Sequence, residues 1–255
     1  MKNIPNLFTL LNLFFGCIAV ILILQNGIAV MNTADGSQYI GIPEKIGMAS
    51  LFIGLAALVD FLDGLVARMF KAVSPLGKQL DSLADVVSFG VAPGMILYQF
   101  LRMSFGSQEN GLDVPVIFFL PALIFPCAAA YRLAKFNIDD SQQYGFKGVP
   151  TPAAGLLIAS LPLIYWYSNS TAVVSILLNK WVLYGIIGLV SWLMTSNLPL
   201  MALKFKDPSL KGNLPKILMV VLALVAAILL KWLAVPVVFI LYIFVSLLTA
   251  KKEMV

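Results

Sequence analysis

Long apolar stretches recur along the whole chain, and they restrict the folds it can adopt more than any other feature of the sequence. Of its 255 residues, 60% are hydrophobic and only 11% are charged, and the mean hydropathy is +0.95. A helix that crosses a bilayer needs about 20 apolar residues. Stretches of that length follow one another, and no polar block is large enough for a soluble domain. We therefore expect one all-α integral membrane domain over residues 1–255.

Glycine, proline and charged residues divide these stretches into a predicted bundle of about eight transmembrane helices. The predicted spans lie near residues 5–26, 46–70, 80–103, 114–136, 151–168, 179–197, 214–231 and 233–250, the last two being accessory C-terminal helices. The sixth is the least regular, because AVVSILLNK precedes WVLYGIIGLVSWLMTSN. These two segments form either one long tilted helix or an interfacial helix followed by a short span.

The basic residues predict the orientation of the chain. An even number of spans puts both termini on one side, and thirteen of the seventeen Lys and Arg residues then lie at or near that side. Because cytoplasmic loops carry an excess of Lys and Arg, we expect both termini in the cytoplasm. Compact loops and the lack of targeting extensions suit a prokaryotic inner membrane. The sequence has no basic stripe with interleaved aromatic residues, so we expect no nucleic-acid partner.

Four aspartates stand inside or at the ends of segments that are otherwise fit for lipid: Asp60, Asp63, Asp81 and Asp85. An ionised carboxylate at membrane depth costs several kcal/mol unless a cation, a partner or water compensates it. The first two are three residues apart, and the last two are four apart, so each pair lies on one face of a helix. Two antiparallel neighbouring helices can bring all four together near the cytoplasmic side.

The residues between the aspartates complete these two faces. Gly64 and Ala67 fall on the same helical face as the first pair of aspartates, and Arg68 lies at its edge. Gly77 precedes the second pair in the same stripe. These small residues would let a bulky group approach the backbone between the carboxylates.

A group of carboxylates needs positive charge, and the available ligand types indicate which ion would supply it. The chain has no histidine, and an all-oxygen ligand set favours hard ions such as Mg²⁺, Mn²⁺ or Ca²⁺, either one ion or a pair. Hard cations beside an arginine suit a phosphate or diphosphate substrate. Phosphoryl-type chemistry is therefore the leading hypothesis. A carboxylate-lined cation transporter is the alternative, although the carboxylates crowd near one side instead of marking a path across.

The spacing Asp60-x-x-Asp63-Gly64-x-x-Ala67-Arg68, eight residues, Gly77-x-x-x-Asp81-x-x-x-Asp85 resembles the signature of the CDP-alcohol phosphotransferases. These membrane enzymes displace CMP from a CDP-linked lipid or alcohol with the hydroxyl of a second substrate. The resemblance implies a helical membrane fold with a cytoplasm-facing polar cavity. It also implies two metal ions, Mg²⁺ or Mn²⁺, and a homodimer.

The resemblance also implies a role for each residue of the motif. The metal ligands would be Asp60, Asp63, Asp81 and Asp85, and Asp85 would also be the general base. Gly64 and Ala67 would admit the cytidine nucleotide of the CDP-lipid, and Arg68 would steady its phosphate.

Flanking segments extend the resemblance to the phosphatidylserine synthase branch of the family. IPNLFTLLNLFFG, DSLADVVSFGVAPG, YRLAKFN and GFKGVPTPAAG carry it, and they cover roughly the first 165 residues. This branch implies CDP-diacylglycerol and L-serine as substrates. Glycerol 3-phosphate, inositol phosphate or choline is the alternative acceptor.

Five further polar residues are candidates for substrate contact. A serine carboxylate needs a cation, and Arg132, Lys135 and Asn137 near the end of the fourth span are the candidates. The alternative is that the two basic residues reach toward lipid headgroups. Asn6 and Thr9 could hydrogen-bond the nucleotide of the CDP-lipid, or Asn6 could cap the first helix.

Overall fold

Helices make up most of the chain that this computed structural model describes, which comprises residues 4–25, 29–32, 38–41, 45–70, 74–106, 113–138, 146–168, 170–200 and 210–253. The α-helices are α1 (Ile4–Leu24), α2 (Lys45–Met69), α3 (Pro75–Asp85), α4 (Ala92–Gly106), α5 (Ile124–Ile138), α6 (Thr151–Tyr167), α7 (Thr171–Leu177), α8 (Lys180–Thr195), α9 (Leu210–Leu230) and α10 (Ala234–Glu253). The prediction of an all-α membrane protein is confirmed.

Two short antiparallel strand pairs connect parts of this helical fold. β1 (Ala29–Asn32) pairs with β2 (Gln38–Gly41) between α1 and α2. β3 (Phe146–Lys147) pairs with β4 (Pro199–Leu200) and ties the start of α6 to the end of α8. Neither pair is large enough to form a sheet with its own core.

Four helical stretches of the described residues are long and apolar enough to cross a membrane: Pro5–Leu24, Lys45–Met69, Pro75–Gly106 and Leu218–Leu248. The last contains parts of α9 and α10, which pack against each other on either side of a turn at Lys231, where φ is 50°. The α7–α8 pair, bent by 62°, would add a fifth span. The predicted count of eight spans stays a prediction.

Two predicted boundaries differ in the structure for local reasons, and the two alternatives for the sixth span are distinguished. The third span begins at Pro75 instead of residue 80, because Ser74 Oγ accepts a hydrogen bond from the Gly77 N–H at 3.0 Å and caps α3. In the fourth, 3₁₀ turns at Val116–Phe118 and Leu120–Leu123 precede α5, where Pro115 and Pro121 disfavour a regular helix. In the sixth, the two segments are separate helices, because Asn179 caps α8.

The centre of the fold is a π-helical segment, Val86–Val91, which continues α3 directly into α4. It contacts α1, α5 and α6, and Phe89 within it is fully buried. Gly155 of α6 lies so close to Phe89 that a Cβ atom at this glycine would fall 2.9 Å from the Phe89 backbone. Close packing therefore fixes the chain immediately after Asp85, and π-helical segments are frequent at functional sites.

Candidate active site

Three of the four aspartates come together where α2 and α3 meet α1. Asp60 and Asp63 lie in the last turns of α2, and Asp81 lies in α3. Each offers a carboxylate oxygen, and these oxygens lie within 4.8 Å of one another. We refer to these three residues as the carboxylate group. The helical spacing of the sequence predicted that all four aspartates come together, and the structure groups three of them. The role of these residues as metal ligands stays a prediction.

A polar cavity of about 220 Å³ opens beside the carboxylate group. Residues of α1, α2 and the start of α3 line it: Pro5, Asn6, Thr9, Asp63, Gly64, Ala67, Ser74, Gly77, Lys78 and Asp81. The cavity lining thus includes Gly64 and Ala67, which share a face of α2 with Asp60 and Asp63. It also includes Gly77, which precedes Asp81 on α3. Its lining combines two carboxylates with one lysine, which suits a ligand that carries both charge and hydrogen-bonding groups.

Gly64 leaves part of this cavity open. A Cβ atom at Gly64 would have no heavy atom of the described residues within 4 Å. Elsewhere in the lining, a Cβ atom at Gly77 would lie 3.2 Å from Asn6 Oδ1. The free space therefore lies at Gly64, while Asn6 approaches Gly77 closely.

Hydrogen bonds from α1 hold two of the aspartates. Thr9 Oγ1 donates to Asp63 Oδ2 at 2.8 Å, and Asn12 Nδ2 donates to Asp85 Oδ1 at 3.2 Å. Ser88 Oγ donates to the Asn12 carbonyl oxygen at 3.0 Å and links this part of α1 to the π-helical segment. Both donors to the carboxylates are neutral, so they orient the carboxylates without supplying positive charge.

Asp85 lies outside the carboxylate group that the structure brings together. It ends α3, is only 6% exposed, and is held by Asn12. Asn12 was not among the residues predicted from the sequence, although an amide inside an apolar helix, three residues after Thr9, was a signal for it.

The three residues predicted to bind the acceptor lie in different environments. Arg132 is 7% exposed, and its Nη1 donates to Thr151 Oγ1 at 3.1 Å. Lys135 donates through Nζ to Asn197 Oδ1 at 2.7 Å on the exposed surface. Asn137 Nδ2 donates to Ser82 Oγ at 2.8 Å and so joins α5 to α3. Only Arg132 of these three is buried.

Arg132 also lies near one aspartate and one C-terminal helix. It lies within electrostatic range of both Asp85 and Tyr242 of α10, and its Nε atom is buried without a hydrogen-bond partner among the described residues. Thr151 and Tyr242 gave no local sequence signal, because their positions beside Arg132 depend on the packing of distant helices.

Arg68 lies at the outer end of α2. Its Nε atom donates to the Gly64 carbonyl oxygen at 2.9 Å, and the side chain is exposed. This bond holds the guanidinium along the last turns of α2, close to the open side of Gly64. Arg68 is not among the residues that line the polar cavity, and its role toward phosphate stays a prediction.

The carboxylate group fits a hard divalent cation. All of its donors are carboxylate oxygens, which are the ligands that Mg²⁺ and Mn²⁺ prefer. Asp81 Oδ1 is buried and accepts no hydrogen bond from any described residue, which would be costly without a compensating cation. The arrangement can therefore hold a cation at the edge of a cavity that is large enough for a polar ligand.

Comparison with known proteins gives a consistent result. Residues 2–200 match the family described as CDP-alcohol phosphatidyltransferase. A CDP-diacylglycerol–serine O-phosphatidyltransferase of Bacillus subtilis is 39% identical over 122 residues, or 48% of this chain and 64% of that protein. A protein of the same name from Helicobacter pylori is 36% identical over 162 residues, or 63% of this chain and 57% of that protein.

A third relative with that name, from Mycobacterium tuberculosis, is 30% identical over 215 residues, which cover 80% of this chain and 69% of the relative. Against the first two relatives, the chain spans only 64% and 57% of their length. The family match itself extends over most of the chain and includes every aspartate of the motif. The chain therefore belongs to the CDP-alcohol phosphatidyltransferase family.

Proposed function

We propose that this chain transfers a phosphatidyl group from CDP-diacylglycerol to the hydroxyl of L-serine, giving phosphatidylserine and CMP. One observation carries the proposal: in a chain of this family, Asp60, Asp63 and Asp81 converge beside a polar cavity that is open at Gly64. The names of the relatives support serine as the acceptor.

The carboxylate group is the proposed site for Mg²⁺ or Mn²⁺, and two ions would balance the four negative charges of this group and Asp85 together. When bound, the metal would neutralise the negative charge that develops on the departing CMP. Thr9 keeps Asp63 oriented for this role through the bond to its Oδ2. A contact between Asp85 and a metal also stays a prediction, since Asp85 lies outside the group of three.

The polar cavity is the proposed site for the CDP part of the lipid. Gly64 and Ala67 would form the surface on which the nucleotide lies, because a larger side chain at Gly64 would project into the open space. Asn6 and Thr9 also line the cavity and offer hydrogen-bonding groups. Arg68 would pair with phosphate, as its fixed position along α2 favours.

Asp85 is the proposed general base. Because Asn12 holds its Oδ1 atom, Oδ2 would accept the proton of the serine hydroxyl. The serine oxygen would bond to the phosphorus that carries diacylglycerol, and the bond from that phosphorus to the oxygen of CMP would break. CMP would leave with the electron pair of that bond, so proton and charge are both accounted for.

Arg132 is the strongest of the three acceptor candidates. Its burial, its electrostatic range to Asp85 and its unpartnered Nε support a role in binding the serine carboxylate. A buried guanidinium binds a carboxylate strongly because little water competes with it. Lys135 and Asn137 would act indirectly, since their side chains already bond to Asn197 and Ser82.

We also propose a cytoplasmic active site in a prokaryotic inner membrane, on the strength of the basic bias of the loops. The homodimer implied by the family resemblance stays a prediction that light scattering of the purified protein would test. Membrane lipids would surround the exposed apolar side chains, such as Leu58, Phe61 and Ile228.

Purified protein reconstituted in vesicles would test the activity through CMP release. We expect release only when CDP-diacylglycerol, L-serine and a divalent ion are all present. Parallel reactions would replace serine with glycerol 3-phosphate, inositol phosphate or choline. CMP release with one of these acceptors but not with serine would overturn the assignment of serine as the acceptor. Metal uptake into sealed vesicles without any CMP release would instead support the transporter alternative.

A further inference from the structure

A second cavity lies between α6 and the C-terminal helices α9 and α10, and its volume is about 490 Å³. We call it the tail cavity. Its walls include Ala153 and Leu156 of α6, Met219 and Ala223 of α9, and Val238 and Tyr242 of α10. Apart from the Tyr242 hydroxyl, the side chains of the described residues that line it carry only hydrocarbon or thioether groups.

The shape and composition of the tail cavity suit one hydrocarbon chain. Ligand pockets typically measure about 300–1,000 Å³, so the volume of the tail cavity is larger than that of a packing defect and is sufficient for a ligand. It exists because alanines, among them Ala153, Ala223 and Ala227, occur where three helices face one another. An apolar space of this size would leave its walls without packing partners if it were empty, and its lining offers almost nothing to a polar ligand.

Two residues at the edge of the tail cavity link its lining to Arg132. Pro150 lines the cavity, and the next residue, Thr151, accepts the hydrogen bond from Arg132. Arg132 in turn lies within electrostatic range of Asp85 on one side and of Tyr242, another lining residue, on the other. A molecule that reacts near Asp85 could therefore extend an apolar chain past Arg132 into this cavity.

We propose that the tail cavity binds one acyl chain of the lipid substrate, so that α9 and α10 form part of the substrate site. This inference rests on the proposed function, because that function supplies a diacyl lipid whose head lies at the carboxylates. The family match ends at residue 200, so α9 and α10, which close the cavity, lie outside the residues that it covers. The cation at the junction, Arg132, attracts the anionic groups near the glycerol end of such a lipid.

Filling the cavity tests the proposal. Ala223→Trp would occupy the tail cavity, whereas Leu224→Trp adds the same side chain at the next position, which is 61% exposed on the outer face of α9. Binding of CDP-dipalmitoylglycerol and CDP-dihexanoylglycerol to each full-length variant would be measured in the same detergent, with no acceptor present. Ala223→Val serves as a milder filling variant, and the melting temperature reports folding.

We expect Ala223→Trp to weaken binding of the dipalmitoyl lipid roughly tenfold or more, because each buried methylene contributes about fourfold to affinity. Ala223→Val should weaken it less, and binding of the dihexanoyl lipid should change little. Leu224→Trp should leave the affinity for both lipids unchanged.

Equal affinity of wild type and folded Ala223→Trp or Ala223→Val for the dipalmitoyl lipid would overturn the proposal. So would an equal loss for both lipids, or the same loss with Leu224→Trp. The proposed function fails separately: chain-length-dependent binding without CMP release for any acceptor would refute the reaction while leaving the tail cavity supported.

Discussion

The two cavities of this molecule contrast in what their small residues do. In the polar cavity, Gly64 gives access to a surface that carries Asp63 and Asp81, and a hydrogen bond from Thr9 of α1 orients Asp63. In the tail cavity, Ala153 and Ala223 leave space among apolar walls. Small residues alone therefore do not indicate the ligand, because the groups beside them decide whether charge or hydrocarbon is bound.

This contrast also separates two parts of the chain. Every aspartate of the motif lies in α2 and α3, within the family match, whereas α9 and α10 follow it. Arg132 lies between the two parts, within electrostatic range of Asp85 and of Tyr242. Because the aspartates and the tail cavity lie in different parts of the chain, substitutions that remove charge and substitutions that fill the cavity should have separate effects.

The largest expected effect comes from removing charge in the carboxylate group. Asp81→Asn keeps the shape of the side chain but lowers the affinity for a divalent cation, so we expect CMP release to fall about a thousandfold. The stabilisation by Mg²⁺ or Mn²⁺, measured as a shift in melting temperature, should largely disappear. Asp113→Asn, at an exposed position in a 3₁₀ turn, is the control and should retain both properties. An unchanged metal-dependent shift in Asp81→Asn would contradict the metal site.

The next largest effect should follow from removing the proposed base. Asp85→Asn leaves the carboxylate group intact, so CDP-lipid binding should persist, and the metal-dependent stabilisation should fall less than in Asp81→Asn. CMP release should fall about a hundredfold or more, the usual contribution of a general base. The rate constant would carry the loss, with little change in the KM for the CDP-lipid. A variant that releases CMP at the wild-type rate would exclude Asp85 as the base.

A moderate effect should distinguish access to the polar cavity from the integrity of α2. Gly64→Leu projects into the open space of the cavity, and Gly54→Leu adds the same side chain to the same helix, at a glycine that also has no neighbour of the described residues within 4 Å. Because a steric overlap costs roughly 1–3 kcal/mol, we expect the KM for the CDP-lipid to rise about twentyfold only in Gly64→Leu. Equal kinetics for both variants would show that Gly64 does not face the nucleotide.

Local spacing explains which parts of the fold and site the sequence could predict. The helical period places Asp60 and Asp63 on one face, so their convergence with Asp81 needed only two neighbouring helices. The same local information located most apolar helices to within a few residues. It missed the cap at Ser74, which moved the start of α3, because the apolar pattern alone defined that boundary.

Contacts between distant residues could not be predicted in this way. Asn12 and Asp85 are 73 residues apart, and their hydrogen bond depends on how α1 packs beside the π-helical segment. The bond between Arg132 and Thr151, and the proximity of Tyr242, likewise require the packing of α5, α6 and α10. A single sequence carries no periodic signal for such pairs, and the tail cavity arises from the same long-range packing.

The smallest expected effect concerns a hydrogen bond that supports the carboxylate group from outside. Thr9→Val removes the donor to Asp63 Oδ2 and keeps the shape of the side chain. Since one hydrogen bond contributes about 1 kcal/mol, CMP release at low metal concentration should fall about fivefold. Excess metal should restore most of the rate, because the variant weakens the orientation of a ligand and removes none. Thr195→Val is the matched control, since Thr195 Oγ1 donates to backbone carbonyls of α8. If excess metal failed to restore the rate, Thr9 would act on the nucleotide itself, and the polar cavity would then use α1 for binding as well as for orienting Asp63.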